Sequence, residues 1–309
     1  MIKRTLYFGN PAYLSLKNAQ LVLRLPEVEK NDTVSVTFKK SAERTIPIED
    51  IGVVVLDHKQ ITITQALIDA LLNNNCAMIT CDDSHIPRGL MLPLAGNSLQ
   101  SERFREQIGC SLPLRKQLWQ QTVQAKISNQ AIVLKRCRNA EVGNMRVWAN
   151  DVRSGDATNL EARAAAYYWK CLFPNIPDFT RMRNGVSPNN LLNYGYAIVR
   201  AIIARALVAA GLLPTLGIHH HNRYNAYCLA DDIMEPYRPY VDKLVFEIVR
   251  ENDLWVMDTG MKARLLTIPS IDVNINGTTR PLMIAATATT ASLAKCFNGE
   301  SRQVLYPSI

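Results

Sequence analysis

Three consecutive histidines, His219, His220 and His221, follow Leu216-Gly217-Ile218, and an acidic cluster of Asp231, Asp232 and Glu235 lies downstream of them. Spacings of three and four set Asp232 and Glu235, or Asp231 and Glu235, on one face of a helix start. A histidine loop facing such a turn can hold a divalent metal. Two carboxylates and one imidazole suit manganese or magnesium better than zinc, which prefers nitrogen and sulfur. The same aspartates at a helix N-terminus also favour the macrodipole with no metal present, and three histidines also suit a plain polar loop. A further carboxylate, Glu161, closes Thr158-Asn159-Leu160-Glu161, the Thr-x-x-Glu pattern of a capping box. For this residue, capping and ligation are both open readings.

Other chemistries are missing from the 309 residues. There is no Gly-rich phosphate loop of the Walker or dinucleotide type, and no Ser or Cys nucleophile elbow. The seven cysteines (Cys76, Cys81, Cys110, Cys137, Cys171, Cys228 and Cys296) are odd in number and never spaced Cys-x-x-Cys. That pattern implies neither a zinc site nor a disulfide framework, and suits a reducing cytoplasm. Lys and Arg number 35 against 27 Asp and Glu, a net charge of +8, which favours polyanionic partners such as nucleic acid. Lys135, Arg136 and Arg138 end one helical pattern, and Arg181 and Arg183 form a basic loop. Each can contact phosphate, act on a helix dipole or face solvent. The start, Met1 to Tyr7, lacks the apolar run of a signal peptide. The most apolar stretch, Ala197 to Leu213, contains Arg200 and Arg205 and stops at Pro214, so it reads as a buried helix rather than a membrane span.

These residues must be positioned by elements whose periods differ along the chain. Leu14 and Leu16, then Leu21, Leu23 and Leu25, alternate around a turn at Lys17-Asn18-Ala19. Val34, Val36 and Phe38, and Ile46 and Ile48, repeat the same period of two. The β-branched run Ile51 to Leu56 predicts a strand covered on both faces, Ala66 to Leu71 a short helix, and Cys76 to Thr80 another strand. Asn97 to Gln107 is polar and reads as a linker. Downstream, Leu118 to Leu134, Leu160 to Phe173, Asn190 to Leu213 and Leu229 to Arg250 follow helical periodicity, the last interrupted by Pro236 and Pro239, and Ser292 to Phe297 ends a final helix. The expectation is a two-domain α+β chain, with a small β domain over residues 1–97 and a larger all-α domain over 98–309.

The string Gly217-Ile218-His219-His220-His221-Asn222-Arg223-Tyr224-Asn225, with Leu229-Ala230-Asp231-Asp232-Ile233-Met234-Glu235-Pro236-Tyr237-Arg238-Pro239, resembles the core motif of the universal CRISPR-associated adaptation integrase family. Ser187 to Tyr196 resembles that family's Asn-rich entry into its central helix, and Lys126 to Ala131 its helix after the linker. Arg4 to Phe8 and the Ile51-to-Leu56 strand fit its N-terminal domain. The wording of the histidine loop is most similar to the branch accompanying a single-protein RNA-guided nuclease.

The resemblance implies Glu161, His220 and Glu235 as catalytic metal ligands for Mg2+ or Mn2+, with Asp232 competing for the acidic place. It implies a β-sandwich-like N-terminal domain that makes a homodimer, and a helical catalytic domain. It further implies an antiviral adaptation enzyme that joins the 3′-hydroxyl ends of short duplex DNA into a repeat array by transesterification. The implied partners are double-stranded DNA, a small ferredoxin-like adaptation subunit and the RNA-guided effector nuclease, in the cytoplasm and with no membrane. The alternatives are a structure-selective, metal-dependent DNA nuclease of repair and a non-catalytic DNA-binding scaffold.

Overall fold

The computed structural model describes residues 3–33, 35–83, 85–176, 179–182, 185, 187–251 and 257–309. The chain divides into two compact units, Met1–Gly96 and Asn97–Ile309. The expected strand residue Val34 and the loop residue Arg183 lie outside the described residues.

In the first unit, β1 (Arg4–Phe8) is followed by the hairpin of β2 (Ala12–Lys17) and β3 (Gln20–Arg24). Its turn residues Asn18 and Ala19 both have positive φ, as a two-residue turn matching the strand twist requires. Register places Leu14 opposite Leu23 and Leu16 opposite Leu21. Two short helices follow, α1 (Pro26–Glu29) and α2 (Val36–Ala42). The strand expected through Val36 and Phe38 is therefore a helix: Ser35 accepts a hydrogen bond from Phe38 N and caps it, and both apolar side chains are exposed. An alternating pattern with no buried face to serve does not specify a strand.

Next come β4 (Arg44–Pro47), β5 (Ile51–Leu56), β6 (Ile61–Ile63), α3 (Gln65–Asn73), β7 (Ala77–Cys81) and β8 (Pro87–Met91). They build two four-stranded sheets, ordered β1-β5-β7-β8 and β4-β3-β2-β6. The β-branched run of β5 lies between β1 and β7, parallel to both, with residues 51–55 buried. Leu14 and Leu21 of one sheet, Ile51, Val54 and Met78 of the other, and Leu67 and Leu71 of α3 share one apolar core. The first unit is thus mixed α and β.

The second unit begins with α4 (Gln100–Ile108), which replaces most of the expected linker. Then come α5 (Leu112–Arg138), α6 (Gly143–Asp151), α7 (Leu160–Leu172) and α8 (Asn189–Ala209). Ser111 caps α5 and Asn139 closes it in the left-handed conformation. The 27 residues of α5 make a rod of about 40 Å, against which α6, α7 and α10 pack. The remaining elements are α9 (Cys228–Met234), α10 (Arg238–Glu251), α11 (Thr259–Leu265), a hairpin of β9 (Asp272–Ile275) and β10 (Thr278–Pro281), and α12 (Leu282–Phe297). That hairpin corrects the expectation of an all-α unit.

Helix α8 is long and apolar enough to cross a membrane, but most of its side chains are buried inside the unit. It packs on α9, α10 and α12. Arg181 donates to Asn189 Oδ1 (3.1 Å) and Asn193 Oδ1 (2.6 Å) at the start of α8 and stacks over Tyr196, so its guanidinium holds a turn of this chain.

Asp242 of α10 joins three helices. Its carboxylate accepts from Tyr168 of α7 (3.0 Å) and from Tyr196 of α8. Burial pushes the carboxyl up to about 7, against the two hydroxyls and the cations Arg238 and Arg181. The folded pKa lies above the unfolded value, so stability from this group is full below about 4 and is lost as pH rises through about 7. Asp242→Asn removes the titration. Its denaturation midpoint is expected to fall less steeply than that of the parent between about pH 4 and pH 7. Equal slopes in urea melts across that window would remove this account of Asp242.

Candidate active site

The site is assembled on α5. Residues 119, 126 and 129 of this helix share one face, as spacings of seven and three require. Lys126 lies 2.6 Å from Glu161 Oε1 and 2.6 Å from Glu235 Oε2. Asn129 donates to the carbonyl of Pro236 (2.8 Å) and so fixes the short turn Glu235–Tyr237 that carries the second carboxylate. Trp119 lies flat against His219, with ring centroids 4.1 Å apart.

Glu161 owes its freedom to its neighbour Asp156. The carboxylate of Asp156 accepts from the backbone N–H groups of Leu160 (2.9 Å) and Glu161 (3.0 Å), satisfying the first turn of α7. Asn159, not Thr158, is the N-cap, in the left-handed conformation and with no side-chain cap bond. The capping box read from Thr158 and Glu161 therefore does not form, and the Glu161 carboxylate turns to Lys126.

Glu235 is 5% exposed. Burial alone would raise its carboxyl, but Arg238 and Lys126 outweigh that and hold it below the usual carboxylate range. Arg238 Nε stands 3.0 Å from Glu235 Oε1, and its guanidinium rests on the Tyr196 ring. For Lys126, the attraction of Glu235 and Glu161 exceeds the cost of burial and raises its pKa. Removing one member of such a buried set leaves an uncompensated charge, at a cost of about 3–5 kcal/mol.

The histidine loop is organised by Asp232, which is fully buried. Its Oδ2 accepts from the backbone N–H groups of Ile218 (2.7 Å) and His219 (2.9 Å), and its Oδ1 from that of His220 (3.2 Å). Oδ1 also pairs with His220 Nδ1, which raises the His220 pKa and leaves Nε2 as the ring nitrogen turned elsewhere. Asp232 thereby orients the histidine. Gly217 makes the loop possible. A Cβ there would stand 2.2 Å from the His220 carbonyl oxygen and 2.8 Å from Asp232 Oδ2. Gln107 of α4 clamps the approach by donating to the carbonyls of Leu213 and Leu216 and accepting from Leu213 N. Asp231 is taken up by Arg200 (2.6 Å) and Asn225 (2.7 Å).

Of the expected ligands, Glu161 and Glu235 thus meet at one cation, the Lys126 ammonium. His220 is close enough that both carboxylates favour its protonated form. Among the described residues, no three His, Cys, Asp or Glu side chains close on one point. The donor chemistry nevertheless fits a hard divalent ion: two carboxylates, one of them deeply buried, already share a single cation position. In the sequence Lys126 is one residue of a helix motif, and Trp119, Gln107 and Asn129 carry no site signal, because their roles arise from tertiary contact. None of the seven cysteines is in a disulfide.

A mixed α and β fold in which two carboxylates meet at one lysine beside a histidine loop held by a buried aspartate defines a class, and three comparisons bear on it. The family model described as CRISPR associated protein Cas1 matches residues 22–259. A CRISPR-associated endonuclease Cas1 of Neisseria meningitidis is 36% identical over 277 residues, covering 89% of this chain and 86% of the relative. One from Pyrobaculum aerophilum is 27% identical over 83% of this chain and 90% of its own length. Among solved structures, a casposase bound to integration product has a TM-score of 0.75 at 18% identity, over 98% of this chain and 92% of that one. A Cas1 protein from Thermotoga maritima has a TM-score of 0.73 at 16% identity, over 96% and 97%. The chain belongs to the CRISPR-associated Cas1 family.

Asp232→Asn replaces the ring's anionic partner by a neutral amide. His220 is expected to titrate at a lower pH than in the parent chain, because the bond that favours its charged form is weakened. Imidazole resonances followed by NMR across pH check this. An unchanged His220 titration would show that Asp232 does not orient the ring.

Proposed function

We propose that this chain is a metal-dependent DNA endonuclease and integrase of CRISPR adaptation, with Glu161, His220 and Glu235 as its catalytic ligands. One observation carries the reading: Glu161 and Glu235, from elements far apart in sequence, converge on a single cation beside a histidine whose ring is oriented by a buried aspartate. The names of the relatives support it, since those matched in sequence are called endonucleases and a structural neighbour is a casposase on its integration product.

Magnesium or manganese, held by Glu161, Glu235 and His220 Nε2, would stabilise the charge that develops on the phosphoryl and leaving oxygens. The chain's own groups do the rest. Asp232 keeps Nδ1 of His220 engaged, so the ring presents one nitrogen in one orientation. Arg238, fixed on Tyr196, keeps the Glu235 carboxylate ionised. A cleft of about 660 Å³ opens beside His220 and His221, with Arg115, Asn222 and Arg223 on its walls. Its arginines would neutralise phosphates of a DNA strand lying beside His220. Arg223 and the exposed Tyr224 stack on each other at its rim.

The reaction is an exchange of esters. The 3′-hydroxyl oxygen of a short duplex bonds to a phosphorus at the repeat border as the bond from that phosphorus to the resident 3′-oxygen breaks. The proton lost by the attacking hydroxyl is balanced by one gained at the leaving oxygen. One phosphodiester replaces another, which accords with the missing nucleotide-binding loop. Water in place of the 3′-hydroxyl gives the endonuclease reaction.

The first unit is proposed to make a homodimer. A small ferredoxin-like subunit is the proposed partner, a reading supported by a structural neighbour that is a Cas6-RT-Cas1–Cas2 complex. The RNA-guided effector nuclease is a further proposed partner, in the cytoplasm.

Glu161→Gln, Glu235→Gln and His220→Ala are each expected to abolish joining of labelled fragments to a repeat-bearing plasmid, and to remain dimeric by light scattering. His219→Ala and His221→Ala are expected to retain joining. Full joining by Glu161→Gln, or loss in His219→Ala with activity in His220→Ala, would overturn the ligand assignment. Cleavage with no dependence on a repeat would favour a repair nuclease, and no metal-dependent chemistry at all a scaffold. Duplex binding, driven by the net charge of +8, is expected to weaken on the order of a hundredfold between about 50 and about 200 mM salt in fluorescence anisotropy. A flat salt response would remove the phosphate-based account of binding.

A further inference from the structure

Lys126 has no task in the ester exchange, yet its ammonium stands in the middle of the site. It is 2.6 Å from each of the two carboxylates, and its side chain is 12% exposed. We propose that Lys126 is the resident counter-ion of the metal-binding pair, and that a divalent cation enters by exchange with it. The inference rests on the reading of Glu161 and Glu235 as ligands and adds what holds them before the metal arrives.

Two carboxylates brought together in an interior repel each other and lose their hydration, so an ionised pair needs a cation at all times. The ammonium meets that need incompletely. It stands 2.6 Å from Glu161 Oε1 and 2.6 Å from Glu235 Oε2, one monovalent charge shared between two carboxylates. A single positive charge leaves the pair with a net negative charge, and a divalent ion at the same two oxygens neutralises it fully. The ammonium and the ion cannot share the position, because like charges in contact within a buried site repel strongly.

The two cations around Glu235 differ in their freedom to leave. Arg238 lies on the Tyr196 face and its planar fork is fixed there. Lys126 carries a compact charge on a flexible four-carbon stem, and Glu161, its hydrogen-bonded partner, is itself part-exposed at the edge of the site. Lys126 is therefore the exchangeable member. The chain binds the metal only in the fraction of molecules where the ammonium has withdrawn, so the lysine sets a threshold for metal affinity.

The test measures Mn2+ binding directly. Free Mn2+ is titrated by EPR against the parent chain, Lys126→Met, and the double variant Glu161→Gln with Glu235→Gln. Removing the competitor is expected to tighten Mn2+ binding by about tenfold or more in Lys126→Met, while the double variant loses it. Unchanged or weaker binding in Lys126→Met would overturn the exchange. Undiminished binding in the double variant, or none in either the parent or Lys126→Met, would overturn the ligand reading and the exchange with it. Reductive methylation of the parent chain, read by mass spectrometry, keeps the proposal open to refutation even if Lys126→Met fails to fold. Lys126 is expected to be protected without Mn2+ and modified in its presence, and equal protection in both would refute exchange.

Discussion

The second unit depends on holding two carboxylates, one buried and one part-exposed, at a single cation. Glu161 and Glu235 come from different elements, and nothing in their backbones brings them together. The long helix α5 does so by presenting Lys126 to both and Asn129 to the turn that carries Glu235. A helix suits this role because residues three and seven positions apart fall on one face at a fixed rise. Trp119, on that same face, supports the histidine loop from below.

A second constraint operates on the loop. Consecutive histidines point in different directions, so one must be selected and held. Asp232 does this with four hydrogen bonds, three to backbone N–H groups and one to the His220 ring. Gly217 allows the chain to pass that close, and Gln107 ties down the segment leading in. His219 is spent on Trp119, and burial lowers its pKa, whereas the bond to Asp232 raises that of His220. Adjacent residues of one type thus become chemically distinct through their neighbours alone.

These differences in origin explain what was legible in the sequence. The strands with a buried face were legible from Leu14, Leu21 and the β5 run, because burial imposes the pattern. Val36 and Phe38 misled because their alternation faces solvent on a capped helix. The Thr158-to-Glu161 capping signal misled in the opposite way: Asp156, outside the four-residue motif, took over the backbone groups. The His220 and Glu235 positions came from family resemblance, whereas spacing alone left Asp231, Asp232 and Glu235 equivalent. Lys126 was not legible as part of the site, since a lysine on an amphipathic helix ordinarily lies along its solvated edge. Only the packing of α5 against α7 and the Glu235 turn brings it inside.

The most direct measurement is anomalous diffraction at the manganese edge from crystals of the chain grown with Mn2+. The expected result is a peak bounded by Glu161, Glu235 and His220 Nε2, at coordination distances of about 2.0–2.3 Å, with Asp232 still on His220 Nδ1. A peak seated on Asp231 or Asp232, or one that leaves Glu161 and Glu235 untouched, would contradict the assignment of the site.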